Sequence, residues 1–126
     1  MSAGRYSFVI EQGSTLNLEI QYKDSSGNPV DLTDYNGKMQ IRPSAGSPTV
    51  YITLSSSLQP DGTGLNFSGS NGSTPPTSGS IGIYISAVSS SALSFDTALY
   101  DLEISSGSFV SRILEGQVKL SKEITI

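Results

Sequence analysis

The side chains that could do chemistry in this sequence are serines and carboxylates, because the chain has no histidine and no cysteine. A nucleophilic serine needs an adjacent base, and histidine, the commonest base, is absent. The lysines that could replace it fall on polar strand faces or at turns. The sequence therefore excludes thiolate chemistry and disulfides, and it offers serine-based catalysis no well-placed base.

Paired carboxylates could hydrolyse a glycosidic bond, and Asp101 and Glu103 are the candidate pair. They are two residues apart, so both point to the same face of an extended strand. We favour a solvated pair that bonds to Arg112 across a β-ladder, worth roughly 0.2–1 kcal/mol. Glu11 and Glu19, on the polar faces of neighbouring strands, are likewise interpreted as solvated carboxylates. We expect no enzyme and no catalytic residue, and glycoside hydrolysis is the weakest alternative.

Two short acidic segments resemble calcium loops in part. Residues 61–64 supply one carboxylate, and residues 24–28 form a loop that is too short. A calcium loop needs several oxygen ligands in a fixed register. Both segments are better explained as turns, so we expect no metal and no cofactor.

The composition limits the partners that the chain could bind. A net charge of −4 argues against binding to a nucleic acid backbone. Only 14% of the residues are charged, so the surface must be mostly serine, threonine, glycine and amide side chains. No apolar run approaches the length of a membrane span, and the first residues lack the apolar segment of a signal peptide. We expect one domain over residues 1–126.

Alternating apolar and polar residues predict that the chain is built from short β-strands. The clearest alternation places Leu16, Leu18 and Ile20 on one face, with polar residues between them. The strongest hairpin signal lies between residues 98 and 120, where two β-prone runs flank a Ser/Gly turn at 105–108. Strands of this kind at roughly ten-residue spacing predict an antiparallel β-sandwich or barrel.

Three further features of this pattern can be checked against a structure. Gly116 in the second arm of the hairpin predicts a bulge or a close approach of another backbone segment. One helical turn is predicted between residues 87 and 93, with Val88, Ala92 and Leu93 facing the core. Residues 68–80 have few apolar side chains, which predicts a flexible surface loop.

Tyrosines and one arginine are the candidate partner-binding residues. Tyr51 and Tyr84 are out of phase with their apolar neighbours, so we expect both to point outward. Exposed tyrosines on strands favour a protein interface, or they could line a groove for a sugar. Arg112 is out of phase with Ile113 and could reach Asp101 or Glu103, or an acidic patch on a neighbouring subunit.

The order and spacing of several short motifs resemble a known family. The matching segments are EQG at Glu11–Gly13, YKDSSGNPVDLT at Tyr22–Thr33, MQIR at Met39–Arg42, YDLEI at Tyr100–Ile104 and RILEG at Arg112–Gly116. They resemble small virion proteins of tailed bacteriophages that are similar to the immunoglobulin-like N-terminal domain of phage baseplate upper proteins. One departure is Asp34, since that pattern tends to have glycine before the tyrosine.

The resemblance implies an immunoglobulin-like β-sandwich of about seven to nine strands and a structural role in the phage particle. It implies no catalytic or ligand-binding residue. The expected partners are other virion proteins, with copies of this chain forming a homo-oligomer in the particle, and neither nucleic acid nor membrane. The virion would be assembled in the cytoplasm of the host bacterium. A tail or baseplate component is favoured, a capsid decoration protein is the first alternative, and a carbohydrate-binding module is the second.

Overall fold

The structure is a computed structural model that describes residues 4–69 and 75–123. Within these residues the chain forms nine strands and one short helix. In chain order they are β1 (Gly4–Arg5), β2 (Phe8–Glu11), β3 (Leu16–Gln21), β4 (Asn36–Arg42), β5 (Ile52–Ser55), β6 (Gly64–Asn66), β7 (Ser80–Ile85), α1 (Ala87–Ser91), β8 (Thr97–Ser106) and β9 (Phe109–Ser121). A 3-10 turn at Pro76–Ser78 adds to the one helical turn that was predicted.

The strands form two sheets that pack face to face as a β-sandwich. The larger sheet has the order β1-β9-β8-β4-β5, with β2 also paired to β9, and the smaller sheet has the order β3-β7-β6. Taken in chain order, the seven strands from β3 to β9 have the neighbours of strands B, C, C′, D, E, F and G in an immunoglobulin-like sandwich. The all-β fold class predicted from the sequence is confirmed.

One part of the topology departs from an all-antiparallel arrangement. Strands β1 and β2 pair parallel to β9, whereas the other ladders between these nine strands are antiparallel. Antiparallel neighbours can be joined by a short hairpin, but parallel neighbours must be connected through a long segment. Here that segment is nearly the whole domain, so local sequence patterns contain no signal for this pairing.

The apolar faces predicted from the alternation form the core between the sheets. Ile81, Ile83 and Ile85 of β7 are fully buried, as are Met39 and Ile41 of β4. They pack in one cluster with the inward side chains of β8, which are Tyr100, Leu102 and Ile104. Leu16, Leu18 and Ile20 are only half-buried, because β3 is an edge strand of the smaller sheet.

The helical turn occurs where it was predicted, but two inward side chains were assigned wrongly. Ser86 caps α1 by accepting a hydrogen bond from the Ser89 amide at 3.1 Å. The capped turn directs Ser90 inward, where its hydroxyl accepts from the Gly13 amide and donates to the Ser14 carbonyl oxygen. Val88 is therefore 78% exposed rather than buried. Ala92 is also exposed, whereas Leu93 is buried as expected.

The predicted loop at residues 68–80 is only partly a loop. Residues 70–74 lie outside the described residues. After them, the Pro76 carbonyl oxygen accepts from the Leu32 amide at 3.0 Å, and the Gly79 carbonyl oxygen accepts from the Tyr22 amide at 2.8 Å. Strand β7 begins at Ser80. The end of this segment therefore joins the body of the domain, and deleting all of residues 68–80 would remove these two backbone hydrogen bonds.

The β8–β9 hairpin has the predicted turn and one irregularity. Ser106 lies opposite Phe109, so the loop has two residues, and the first, Gly107, has a φ of 59° as in a type II′ turn. The register shifts between Leu102 and Glu103. The extra residue on β9 is Ile113, which is buried, and this bulge lets Arg112 lie on the outer side beside Glu103.

Candidate interaction surface

The side of the larger sheet that faces away from the core carries most of the basic residues of the chain. Its charged side chains come from β1, β4, β8 and β9 and line a concavity of roughly 780 Å³. This surface, called the outer face below, is defined by Arg5, Lys38, Arg42, Asp101, Glu103, Arg112 and Glu115.

Strand register arranges these charges in rows across the outer face. In one row Lys38 of β4 lies opposite Glu103 of β8, which lies opposite Arg112 of β9. Side chains directly opposite each other on one face are close enough to interact. In this row the Glu103 carboxylate of β8 therefore lies between two cations. The neighbouring row contains Gln40, Asp101, Glu115 and Arg5.

Arg112 makes the two ion pairs of the outer face. Its Nε atom lies 3.3 Å from Oδ2 of Asp101, and its Nη1 atom lies 3.9 Å from Oε2 of Glu115. The predicted contact between Arg112 and Asp101 is thus confirmed. Both pairs are exposed, so each is worth about 1 kcal/mol at most. Arg112 is held in place on this surface rather than reaching freely into solvent.

The other three cations have no carboxylate partner in the described part of the chain. Arg42 donates to Oε1 of Gln40 at 2.5 Å and to the carbonyl oxygen of Ser47 at 3.4 Å, both neutral acceptors. Arg5 and Lys38 form no ion pair with another described residue, and the same holds for Glu103. The outer face therefore has basic groups that remain available to a partner.

The charge of the outer face differs in sign from that of the rest of the chain. Four of the seven basic residues and three of the eleven acidic residues lie on it, which gives a formal charge of +1. The remaining three basic and eight acidic residues sum to −5, and the two parts add to the net charge of −4. An acidic partner would be attracted to this face, and the attraction would weaken with salt.

The structure places Tyr51 differently from the prediction. Tyr51 immediately precedes β5, and its amide donates to the Ile41 carbonyl oxygen at 2.7 Å. Its ring stacks on Phe95 with centroids 4.7 Å apart and planes 18° from parallel. Tyr51 is therefore partly buried against the core, so the prediction that it points outward is wrong.

Tyr84 lies on the outer side of the smaller sheet, as predicted. It is opposite Asn17 of β3, while its neighbours Ile83 and Ile85 face the core. Its ring lies over Gly62, where an added Cβ atom would come within 3.2 Å of the ring. The three predicted partner-binding residues thus do not form one site, because Tyr84 and Arg112 belong to different sheets.

Asp61 is the hub of a polar cluster beside the start of α1. Its carboxylate accepts hydrogen bonds from the Ser86 hydroxyl at 2.6 Å, the Thr63 amide at 3.0 Å and the Ser89 hydroxyl at 3.1 Å. These bonds, with that from Ser86 the largest contributor, lower the pKa of Asp61 from 3.8 to about 2. The turn at Asp61 supplies a single carboxylate, and this carboxylate is hydrogen-bonded to Ser86 and Ser89 at the start of α1. These contacts are those of a structural turn.

Neither a family model nor a curated protein matches this sequence. Within residues 4–69 and 75–123, no three acidic side chains cluster in a way that could hold a metal ion. In the same residues no helix has the length and apolar character needed to cross a membrane. The sequence alone does not reveal the outer face, because Lys38, Arg42 and Glu115 come to line one concavity only through strand pairing.

Proposed function

We propose that this chain is a non-enzymatic structural protein of a tailed bacteriophage particle, in which it acts through protein–protein contacts. The observation that carries this proposal is the outer face, a concave surface on a rigid immunoglobulin-like sandwich whose charges are spread in rows. Charges in rows suit a partner surface of complementary charge. The motifs that resemble phage virion proteins support the same assignment.

The arrangement of the carboxylates favours binding over catalysis. Asp101 and Glu115 both bond to Arg112, and Glu103 lies between Lys38 and Arg112 in its row. A glycosidase instead needs one carboxylic acid kept protonated beside a second carboxylate. Asp101 and Glu115 are both engaged by the same guanidinium group, so the outer face is better suited to holding a partner than to transferring a proton.

Mass spectrometry of purified phage particles tests the proposal. We expect peptides of this chain in virions that have been banded and washed, at a constant ratio to the major capsid protein between preparations. A matched preparation of lysate from cells that express the chain without the phage controls for co-purification. Absence of the chain from washed particles would overturn the proposal.

Copy number distinguishes the two locations in the particle. A tail or baseplate component, which we favour, should be present in a small number set by the symmetry of the tail. A capsid decoration protein should be present in many copies that scale with the major capsid protein. Densitometry of the virion proteins, together with antibody labelling seen by electron microscopy, decides between them.

A carbohydrate-binding module is the second candidate function. The observation that favours it is the concavity of the outer face, where Gln40 and Gln117 add amide donors and acceptors to the charged groups. The predicted sugar-binding groove of Tyr51 and Tyr84 is not supported, because the ring of Tyr51 stacks on Phe95. A glycan array on which the protein binds nothing removes this candidate.

A further inference from the structure

The connection between β3 and β4 forms a surface whose charge is opposite to that of the outer face. It contains three exposed acidic residues, Asp24, Asp31 and Asp34, and one basic residue, Lys23, so its formal charge is −2. We call this connection the acidic turn. It links the smaller sheet to the larger one, whereas the outer face lies on the far side of the larger sheet.

Hydrogen bonds fix the geometry of the acidic turn. Oδ1 of Asp24 accepts from the Ser26 amide at 2.9 Å and the Asn28 amide at 3.0 Å. Oδ1 of Asp31 accepts from the Thr33 amide at 2.9 Å and the Thr33 hydroxyl at 2.6 Å. Each carboxylate therefore points in a defined direction, and less conformational entropy is lost when a partner binds it.

The outer face offers the matching groups. Arg5, Lys38 and Arg42 have no carboxylate partner within the described residues, and they surround a concavity that a projecting turn can enter. Because the turn and the face lie on different parts of the domain, one copy presents both at once. A contact of this kind is head-to-tail, and it produces rings if the rotation closes and filaments if it does not.

We propose that the outer face of one copy receives the acidic turn of a second copy. The inference rests on the proposed function, because assembly in a particle is what brings many copies together. The contact joins exposed charges, so it is weak in isolated protein and sensitive to salt. A particle that holds the copies side by side raises their effective concentration and makes the contact persistent.

Sedimentation velocity over a range of protein concentrations tests the contact. At low salt we expect the average mass of the wild type to rise with concentration, and to return to that of a monomer in about 1 M salt, where the Debye length is about 3 Å. A wild type that stays monomeric at every concentration in low salt would overturn the proposal. So would association that does not respond to salt.

Charge reversal shows which surfaces meet. The double variant Lys38→Glu with Arg42→Glu should weaken association at least tenfold. The control variant Lys119→Glu with Lys122→Glu changes the net charge equally, but neither residue lines the concavity, and it should associate like the wild type. Equal loss in both variants would mean that only net charge matters, and this would overturn the contact.

A complementary pair of variants gives the most direct evidence. The variant Asp24→Lys with Asp31→Lys should not associate with itself, but it should associate when mixed with the Lys38→Glu, Arg42→Glu variant. Circular dichroism melting shows whether each variant is folded. If the lysine variant does not fold, the variant Asp24→Asn with Asp31→Asn replaces it, because asparagine keeps a hydrogen-bond acceptor in each turn. This neutral variant should associate with itself less than the wild type does. It should not regain association when it is mixed with the Lys38→Glu, Arg42→Glu variant. No restoration by folded, charge-reversed partners would overturn the proposal.

The results also separate this contact from the proposed function. If the chain is present in virions but is monomeric in solution at low salt, the head-to-tail contact is wrong and the virion role stands. If the chain associates as described but is absent from virions, the contact stands and the virion role is wrong.

Discussion

The carbonyl oxygen of Tyr6 lies where a Cβ atom on Gly116 would have to be. The hydroxyl of Tyr100 donates a hydrogen bond to the same oxygen, and the Tyr6 amide donates to the Glu115 carbonyl oxygen at 3.0 Å. Burial, with a smaller effect from the nearby Tyr6 phenol, raises the pKa of Tyr100, so its hydroxyl remains a donor. Gly116 is thus the point at which the N-terminal strand docks on β9, and the predicted close approach is confirmed.

Gly116→Ala should therefore destabilise the domain. The added methyl group would overlap the Tyr6 carbonyl oxygen, which is backbone and cannot move without breaking the parallel pairing of β1 and β2. We expect a loss of about 1–3 kcal/mol in the free energy of unfolding, as for overpacked cores, measured by urea denaturation.

Gly46→Ala is the matched control, because a Cβ atom there would have no neighbour within 4 Å. It should change stability by no more than about 0.5 kcal/mol. Equal effects of the two substitutions would mean that the N-terminal strand does not pack on Gly116.

Leu102→Ala and Leu18→Ala should differ in cost, although the alternation assigns both side chains to the core. Leu102 is fully buried in the middle of the larger sheet, and its truncation should cost about 2–5 kcal/mol. Leu18 is only half-buried on the edge strand β3, so its truncation should cost about half as much. Denaturation midpoints with unchanged m-values measure both, and an equal cost would contradict the edge position of β3.

Asp34 should tolerate glycine better than a β-branched residue. Its φ of 66° is the one positive value for a non-glycine residue among those described, and it lies in the left-handed region. That region costs most side chains roughly 1–2 kcal/mol, with aspartate among the exceptions. Asp34→Val should lose at least about 1 kcal/mol of unfolding free energy, and Asp34→Gly should be neutral or slightly stabilising.

Asn36→Val is the control for Asp34→Val, because Asn36 is exposed in β4 and extended strands accept valine. Its effect should stay within about 0.5 kcal/mol. A stabilising Asp34→Val variant would show that this turn is not held in the left-handed conformation.

Asp61 should contribute to stability in a pH-dependent way. Its pKa is about 2 in the folded chain and about 3.8 ordinarily, so the unfolded chain binds its proton first as the pH falls. The stabilisation is complete above about pH 5 and is lost between there and about pH 2. The stability difference between the wild type and Asp61→Ala should therefore be largest near neutral pH and shrink across this range.

Ser86→Ala serves as the companion to the Asp61 experiment. It keeps the carboxylate but removes the donor with the largest effect on its pKa. Thermal unfolding followed from pH 7 to about pH 2 should give it an acid dependence between that of the wild type and that of Asp61→Ala. A constant difference between the wild type and Asp61→Ala at every pH would show that the Asp61 carboxylate is not stabilised by these bonds.

Most of the fold was predictable because side-chain alternation is a local property of each strand. Ile81, Ile83 and Ile85 are buried as their spacing requires, and Asp101 and Glu103 lie outward on β8. The local rule fails where a tertiary contact competes with it. Tyr51 is out of phase with the apolar residues of its segment, yet its ring stacks on Phe95. Val88 is apolar, yet the helix cap at Ser86 orients it outward.

The sequence by itself determined which side chains face inward, because the two-residue period of a strand is set by its own backbone. Only the tertiary structure decided which strands are neighbours, and so which charges meet. Lys38 joins the row of Glu103 and Arg112 although it comes from a distant part of the chain. Strand register depends on how the whole core packs and on one bulge at Ile113. No local pattern encodes that choice, and the outer face exists only because of it.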